Sequence, residues 1–277
     1  MVIKIPFLFI FFIIKINCYP TPGLTKIALV RGESDDLVSL NNYFGWTDVS
    51  LSKEGQENAE YIGGLLYMGQ FKFDVCYTSL LKRSVQTAFH ILNKMNQLHI
   101  PIYKDYHLNE RHYGVLEGTN KEEAKIKYGI DIFKHLRKSF EFCPPKFDEN
   151  DEKNPSYNEK YKNIPKKDLP NGESIKDLFE RVIPYFSNVI IPNVKQKKNV
   201  LIVAHEETLR IIDWLLMHNL QKISEKEYIS TNVYTDYSVS TNNVLFYELD
   251  DKLKSIKKYY WTIYDVVSQE KYIPPPL

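Results

Sequence analysis

The order of apolar runs predicts an α/β fold, a three-layer sandwich in which a mostly parallel sheet carries helices on both faces. First, strand-length apolar runs alternate with stretches whose apolar positions recur at helical spacing, as strands and crossover helices do. Second, the runs 27–30 and 200–204 are continuously apolar, as strands covered on both faces are. Third, these two runs end in Arg31 and His205, at the strand edge where open α/β sheets place their ligands.

The elements follow in order. The first strand leads through Arg31 and Gly32 into a polar loop and then Gly45-Trp46-Thr47-Asp48. Ser52 stands as an N-cap before a helix with Ala59, Ile62, Leu65 and Leu66 on its apolar face and Gly69 as its stop. Residues 73–77 read as a second strand, and the Ser79 hydroxyl is placed to cap a helix that buries Leu81, Val85, Ala88, Leu92 and Met95. Residues 100–103 fit a third strand, and two short helices are expected over 121–140. The polar, proline-rich stretch 142–170 reads either as an excursion over the ligand face or as a solvated loop. A helix over 174–191, the strand 200–204, a helix carrying Leu209, Ile212, Leu215 and Leu216, an irregular stretch 230–243 and a last strand 244–249 complete the fold. The tail up to residue 277 offers no periodic signal.

With 277 residues, 43% of them hydrophobic and 26% charged, the chain suits one large domain, expected over residues 24–262 with a tail over 263–277. A formal net charge of +1 gives no general attraction for nucleic acid, so any anion preference must be local. Lys4 precedes the apolar run 5–14. That run is too short to span a membrane but suits the hydrophobic region of a secretory signal over residues 1–18. The competing reading is an uncleaved amphipathic or tethering segment, which leaves the chain cytoplasmic. Cys18, Cys76 and Cys143 have neither the spacing of a disulfide framework nor that of a zinc site.

Arg31 and His205 share a sheet edge, and the cluster Asn109-Glu110-Arg111-His112-Tyr113-Gly114 follows the third strand. Glu110 offers a carboxyl group for proton transfer, Arg111 a fork for bidentate phosphate binding and Tyr113 a phenol for a further hydrogen bond. Arg83, in the first turn of its helix, adds a third cation. Taken singly, each is also an ordinary ion pair or a satisfied polar group, and Arg31 an arginine snorkelling from a strand edge. Their convergence points to a pocket for a phosphorylated molecule.

These residues, with Gly45-Trp46-Thr47-Asp48, Tyr77-Thr78-Ser79, Lys82-Arg83, Gly118-Thr119-Asn120-Lys121 and Val203-Ala204-His205, resemble the cofactor-dependent phosphoglycerate mutases of the histidine phosphatase superfamily. The likeness runs from about residue 26 to about residue 261. It implies a phosphoglycerate mutase-like fold, interconversion of 2- and 3-phosphoglycerate, and a small phosphorylated partner of that class. 2,3-Bisphosphoglycerate is implied as a cofactor that is not permanently bound. The resemblance makes Glu110 the acid/base and His205 the histidine that steadies the transferring phosphoryl group. It places Arg31, Arg83, Arg111, Tyr113, Lys121, Arg137 and Lys138 at phosphate and carboxylate contacts, and leaves a homo-oligomer open.

Where that family reads Arg-His-Gly-Glu, this chain reads Arg31-Gly32-Glu33, so the phosphoryl-accepting imidazole has no counterpart. Its covalent relay has no first acceptor. Neighbouring positions depart as well. Phe44 replaces an expected threonine, Glu206 and Glu207 replace Gly-Asn after His205, and the Ile-Pro-Thr-Gly turn gives way to a longer segment around 234–243. A carboxylate roughly 4 Å from a phosphate costs about 4 kcal/mol per unit charge at an effective dielectric near 20, enough to offset one arginine. Three readings follow: a mutase working by another route, a silent relative that still binds a phosphorylated ligand, and an interaction protein that keeps only the fold.

Overall fold

The computed structural model describes residues 21, 23–32, 41–148, 150–218 and 243–262. The expected secretory segment, the loop 33–40, most of the irregular stretch 230–243 and the tail 263–277 lie outside the described residues.

In chain order the elements are β1 (Thr25–Arg31), α1 (Lys53–Met68), β2 (Val75–Thr78), α2 (Lys82–Lys94), β3 (Ile102–Lys104), α3 (Lys121–Tyr128) and α4 (Ile130–Lys138). They continue with α5 (Ile175–Tyr185), α6 (Ile191–Lys195), β4 (Val200–Ala204), α7 (Glu206–Met217), β5 (Asn243–Leu249) and β6 (Ser255–Thr262). One six-stranded sheet has the order β3-β2-β4-β1-β5-β6. The neighbours β1, β4, β2 and β3 run parallel, whereas β5 is antiparallel to both β1 and β6.

Side chains alternate across the pleat, which explains the unbroken apolar runs. On β1, Ile27 and Leu29 join the core beneath α5 and α7 with Leu178, Val182, Leu209 and Trp214. Ala28 and Val30 face the opposite core with Ala59, Ile62, Leu66, Ile91 and Leu92 of α1 and α2. Each such Leu, Ile or Val withdrawn from water stabilises the fold by about 1.5–3 kcal/mol before entropy is counted. A satellite core of Tyr43, Leu116, Ala124 and Leu136 ties the 41–46 loop to α3 and α4 at the sheet edge.

Several expectations need correction. Ser79 does not cap α2, whose N-cap is Leu81 with no side-chain capping bond. The first-turn N–H of Lys82 instead donates to Asp48 Oδ1 at 2.7 Å, and the Ser79 hydroxyl is left for another partner. The expected 174–191 helix starts on a capping box at Ser174, then widens into a π turn over Phe186–Ile190 ahead of α6. Pro192, with no N–H to donate, lies just past the wide turn. The stretch 142–170 forms three 3₁₀ turns, with Pro155 and Tyr161 buried. Residues 255–262, unread in the sequence, form β6 at the sheet edge, where Ile256 points to solvent and lysines interrupt any apolar pattern.

Candidate functional site

The parallel register brings the site together. Arg31 is level with Ala204, and Thr78 with Val203, so Arg31, Ser79 and His205 emerge side by side at the carboxyl edge. There a cavity of about 350 Å³ opens, lined by Arg31, Gly32, Arg83, Glu110, Tyr113, Lys121, His205 and Glu206 together with residues 41–45. Residues 41–45 and the start of α3 form its far side, where the Lys121 N–H donates to the Asn41 carbonyl at 2.9 Å.

The wall carrying Glu110 is pinned from behind by Arg181. This arginine forms a buried two-pronged pair with Glu173, Nε to Oε1 at 2.7 Å and Nη2 to Oε2 at 2.8 Å. It also donates to the carbonyls of Tyr106, His107, Asn109 and Glu110. Trp46 Nε1 donates to the same Glu110 carbonyl at 2.6 Å, and the Arg181 guanidinium lies over the Trp46 ring. Asn109 accepts from Leu80 N and donates to the Tyr161 hydroxyl. Residues 154–161 therefore buttress this wall from outside, through Tyr161 and the Lys160–Asp48 ion pair, and none of them lines the cavity.

Glu110 Oε1 accepts from Arg111 N at 2.9 Å, and its Oε2 lies 3.4 Å from Glu207 N. Burial first, and then the Glu207 carboxylate, push its carboxyl up to about 7, a value suited to giving or taking a proton near neutrality. Glu117 Oε1 accepts from Trp46 N and Tyr113 N, and burial raises its carboxyl to about 8. Buried His112 accepts from Gly114 N at Nδ1 and is held down to about 3 by burial and then Arg181, so it stays neutral and structural.

His205 is also buried and neutral, held well below its ordinary value by burial and by Arg83 and Arg31. Its Nε2 lies 2.8 Å from Ser79 Oγ, which in turn accepts from Leu81 N at 3.1 Å. A serine hydroxyl has one hydrogen to give and two lone pairs, so with the Leu81 N–H accepted it can still either donate to Nε2 or accept from it, as the ring tautomer requires. Gly32 fills the space beside it. Its N–H donates to the Ala204 carbonyl at 2.7 Å, and a Cβ built there would lie 2.9 Å from Ser84 Cα. No side chain fits at position 32 without moving α2.

The cations differ in their surroundings. Arg83 is buried and donates to the Gly45 and Thr47 carbonyls, so it fixes the loop as well as lining the pocket. Gly45 has φ +42°, and a Cβ there would collide with Glu117 Oε1. Arg31 Nη1 lies 3.0 Å from Glu206 Oε2, and Glu206 Oε1 accepts from Arg210 at 2.8 Å. Arg111 is not on the wall: its guanidinium is buried over the Tyr113 ring, donating to the Leu136 carbonyl. Arg111 Nε lies 3.0 Å from Glu207 Oε2, an electrostatic contact without hydrogen-bond alignment, while the Tyr113 hydroxyl donates to Glu207 Oε1 at 3.3 Å. Despite its burial, the nearby Glu207 carboxylate holds the Arg111 charge firmly in place.

Of the residues expected at the site, Glu110, His205, Arg31, Arg83, Tyr113 and Lys121 converge on the cavity and Arg111 stands behind it. Arg137 and Lys138 end α4, and their side chains lie outside the described part of the structure. Ser79, Glu117, Glu173 and Arg181 were not singled out as site residues in the sequence. Their roles depend on partners distant along the chain, and only the sheet register and loop packing bring those partners near.

The sequence matches the family described as histidine phosphatase superfamily (branch 1) over residues 27–150 and 141–241. It is 41% identical over 235 residues to a 2,3-bisphosphoglycerate-dependent phosphoglycerate mutase of Buchnera aphidicola, covering 85% of this chain and 98% of that protein. The same-named protein of Treponema denticola is 40% identical over 235 residues, covering 85% of this chain and 91% of that one. The structure resembles a mycobacterial glucosyl-3-phosphoglycerate phosphatase with a TM-score of 0.60 at 16% identity, across 86% of this chain and 98% of the other, a likeness of fold. By these matches over most of its length, this chain belongs to the 2,3-bisphosphoglycerate-dependent phosphoglycerate mutase family of the histidine phosphatase superfamily.

Proposed function

We propose that the protein is a catalytically silent member of this family that binds a small phosphorylated molecule of the phosphoglycerate class at the sheet-edge pocket. The observation that carries this reading is the pairing of a cationic cavity, with Arg31, Arg83 and Lys121 on its walls, and Gly32 where the family places its phosphoryl-accepting histidine. Covalent transfer needs a nucleophile with an available lone pair. His205 is a poor replacement, because it is buried and its Nε2 is engaged by the Ser79 hydroxyl at 2.8 Å. Glu110 keeps a proton-exchanging value near neutrality, while no histidine follows Arg31 in the sequence.

The cofactor implied by the relatives' names does not fit the residues present. 2,3-Bisphosphoglycerate presents two phosphates and a carboxylate, whereas Arg31 and Arg111 already face Glu206 and Glu207.

The test compares the parent chain with a variant carrying a histidine inserted between Arg31 and Gly32. Substitution at Gly32 itself is no substitute, since its Cβ meets α2. The parent is expected to be stabilised thermally by 3-phosphoglycerate and to show neither mutase turnover nor phosphohistidine after incubation with 2,3-bisphosphoglycerate. Turnover by the parent equal to that of the insertion variant overturns the reading.

A further inference from the structure

We infer that the amino end of the sheet, opposite the pocket, is a docking face for an anionic lipid bilayer, placed beside the point where the apolar run 5–14 joins the domain. Such docking does not depend on what the pocket binds.

Strand direction collects the face. β1, β2 and β4 start there, α1, α2 and α6 end there, and β5 turns into β6 there, so their connections share one end of the molecule. The connections are bonded to one another. Asp74 N donates to the Asn199 carbonyl and Asn199 N to Asp74 Oδ2, Gln97 bridges the backbone of Phe71 and Phe73, and Lys197 pairs with Asp251. Their outward side chains are basic and apolar. Lys72, Lys94, Lys195, Lys197, Lys252 and Lys254 are exposed, and Tyr67, Met68 and Leu98 beside them are 61%, 64% and 40% exposed. A lysine at a helix C-terminus offsets the helix dipole, which accounts for Lys94 and Lys195. Lys72, Lys252 and Lys254 lie on connections, where no helix end calls for them. The exposed carboxylates of these connections, Asp74, Asp250 and Asp251, are fewer, and Asp251 is taken by Lys197, so the face is positive.

The chain that enters here selects a bilayer as the occupant. Thr21 and Leu24 approach β1 from this end and are tied down: Thr21 N donates to Oε1 of buried Glu248 at 3.2 Å, and Lys26 Nζ donates to the Thr21 and Leu24 carbonyls at 3.1 and 2.8 Å. The apolar run 5–14, flanked by Lys4 and Lys15, therefore joins the domain on the lysine-bearing face. Where it is retained in the chain, a run of that length does not span a bilayer, and one shallow apolar anchor holds only marginally. A basic surface beside it supplies the second attraction, toward anionic headgroups, while Tyr67, Met68 and Leu98 suit the interfacial layer. The pocket then stays open to solution, because the seven-residue strand β1 separates it from the lipid by roughly 20 Å.

The experiment is co-sedimentation of the full chain, at fixed ionic strength, with vesicles of phosphatidylcholine alone and of phosphatidylcholine mixed with phosphatidylglycerol. The face variant is Lys72→Gln/Lys195→Gln/Lys252→Gln/Lys254→Gln. Its control, Lys153→Gln/Lys162→Gln/Lys166→Gln/Lys167→Gln, makes the same charge change at exposed lysines of the stretch 142–170. The parent and the control should bind the anionic vesicles at least about tenfold more tightly than the neutral ones, and the face variant should lose most of that preference. A second measurement needs no variant: anionic vesicles should shield Lys252 and Lys254 of the parent from an amine-reactive reagent and leave Lys166 and Lys167 reactive. Equal binding of the parent to both vesicle types, an equal loss in both variants, or no shielding of Lys252 and Lys254 overturns the inference. Shielding of those two lysines that grows with protein concentration in the absence of vesicles assigns the face to a second copy of this chain, and overturns it as well.

Discussion

The two walls of the pocket meet across one cavity but are held by different forces. The wall built from residues 109–121 is buried and heavily bonded. Arg181 alone holds four of its neighbouring carbonyls and the Glu173 carboxylate, Trp46 packs on it, and Tyr161 closes it from outside. The wall formed by the ends of β1 and β4 is held by backbone register and then by side-chain charge pairs that water reaches, with Arg31 and Glu206 each about a quarter exposed. The string Asn109 to Gly114 stands on the first wall. Arg31-Gly32, with no histidine after the arginine, and the carboxylates Glu206 and Glu207 stand on the second. Side chains held by charge pairs that water reaches can be replaced at little cost to the fold, whereas those inside a buried network cannot.

The sharpest way to break this comparison is Arg181→Ala. It strands the buried Glu173 carboxylate and several carbonyls, and a loss of about 3–5 kcal/mol is expected from urea denaturation. A loss below about 1 kcal/mol would show that the Glu110 wall is no better anchored than the other.

A smaller effect comes from Glu110 itself. Its carboxyl is raised from an unfolded value near 4.5 to about 7 by burial and Glu207. Below the lower value both states hold the proton, and between the two only the folded state does. Its contribution to stability therefore declines as pH rises from about 4.5 to about 7 and then levels off. Glu110→Gln should flatten this window, gaining about 2–3 kcal/mol relative to the parent at pH 8 in denaturation curves. An unchanged pH profile would mean that Glu110 is ionised normally in the folded protein.

The smallest of these effects tests the other wall. Ser79→Ala removes the hydroxyl between His205 Nε2 and Leu81 N, and a cost of about 1–2 kcal/mol is expected. The NMR titration of His205 should move as well. If the ring signals are unaltered, the serine does not set its tautomer.

Residues 27–30 and 200–204 could be read as strands directly, because burial on both faces leaves an apolar run that no polar interruption disguises. The helix after Ser52 was legible for a related reason: its N-cap and apolar spacing are local facts, and Ser52 does accept from Gly55 N. β6 was not legible. An edge strand with Lys257 and Lys258 in its middle has no clean alternation, and its identity comes from pairing with β5 across a turn. Ser79 misled for an instructive reason. Its position before a helix suits a cap, but Asp48 takes the first N–H from a distant loop, and the hydroxyl turns to His205 instead.

By itself the sequence determined the α/β alternation, the family, the strand-end positions of Arg31 and His205, and the absence of a histidine after Arg31. These are properties of neighbours along the chain, written in periodicity, caps and order. Only the tertiary structure decided that Glu206 lies against Arg31, that Glu207 lies against Arg111, and that Gly32 has no room for a side chain. Those facts depend on groups brought together by folding, and the strength of a charge or a clash is set by distance and burial, which a string of residues does not carry.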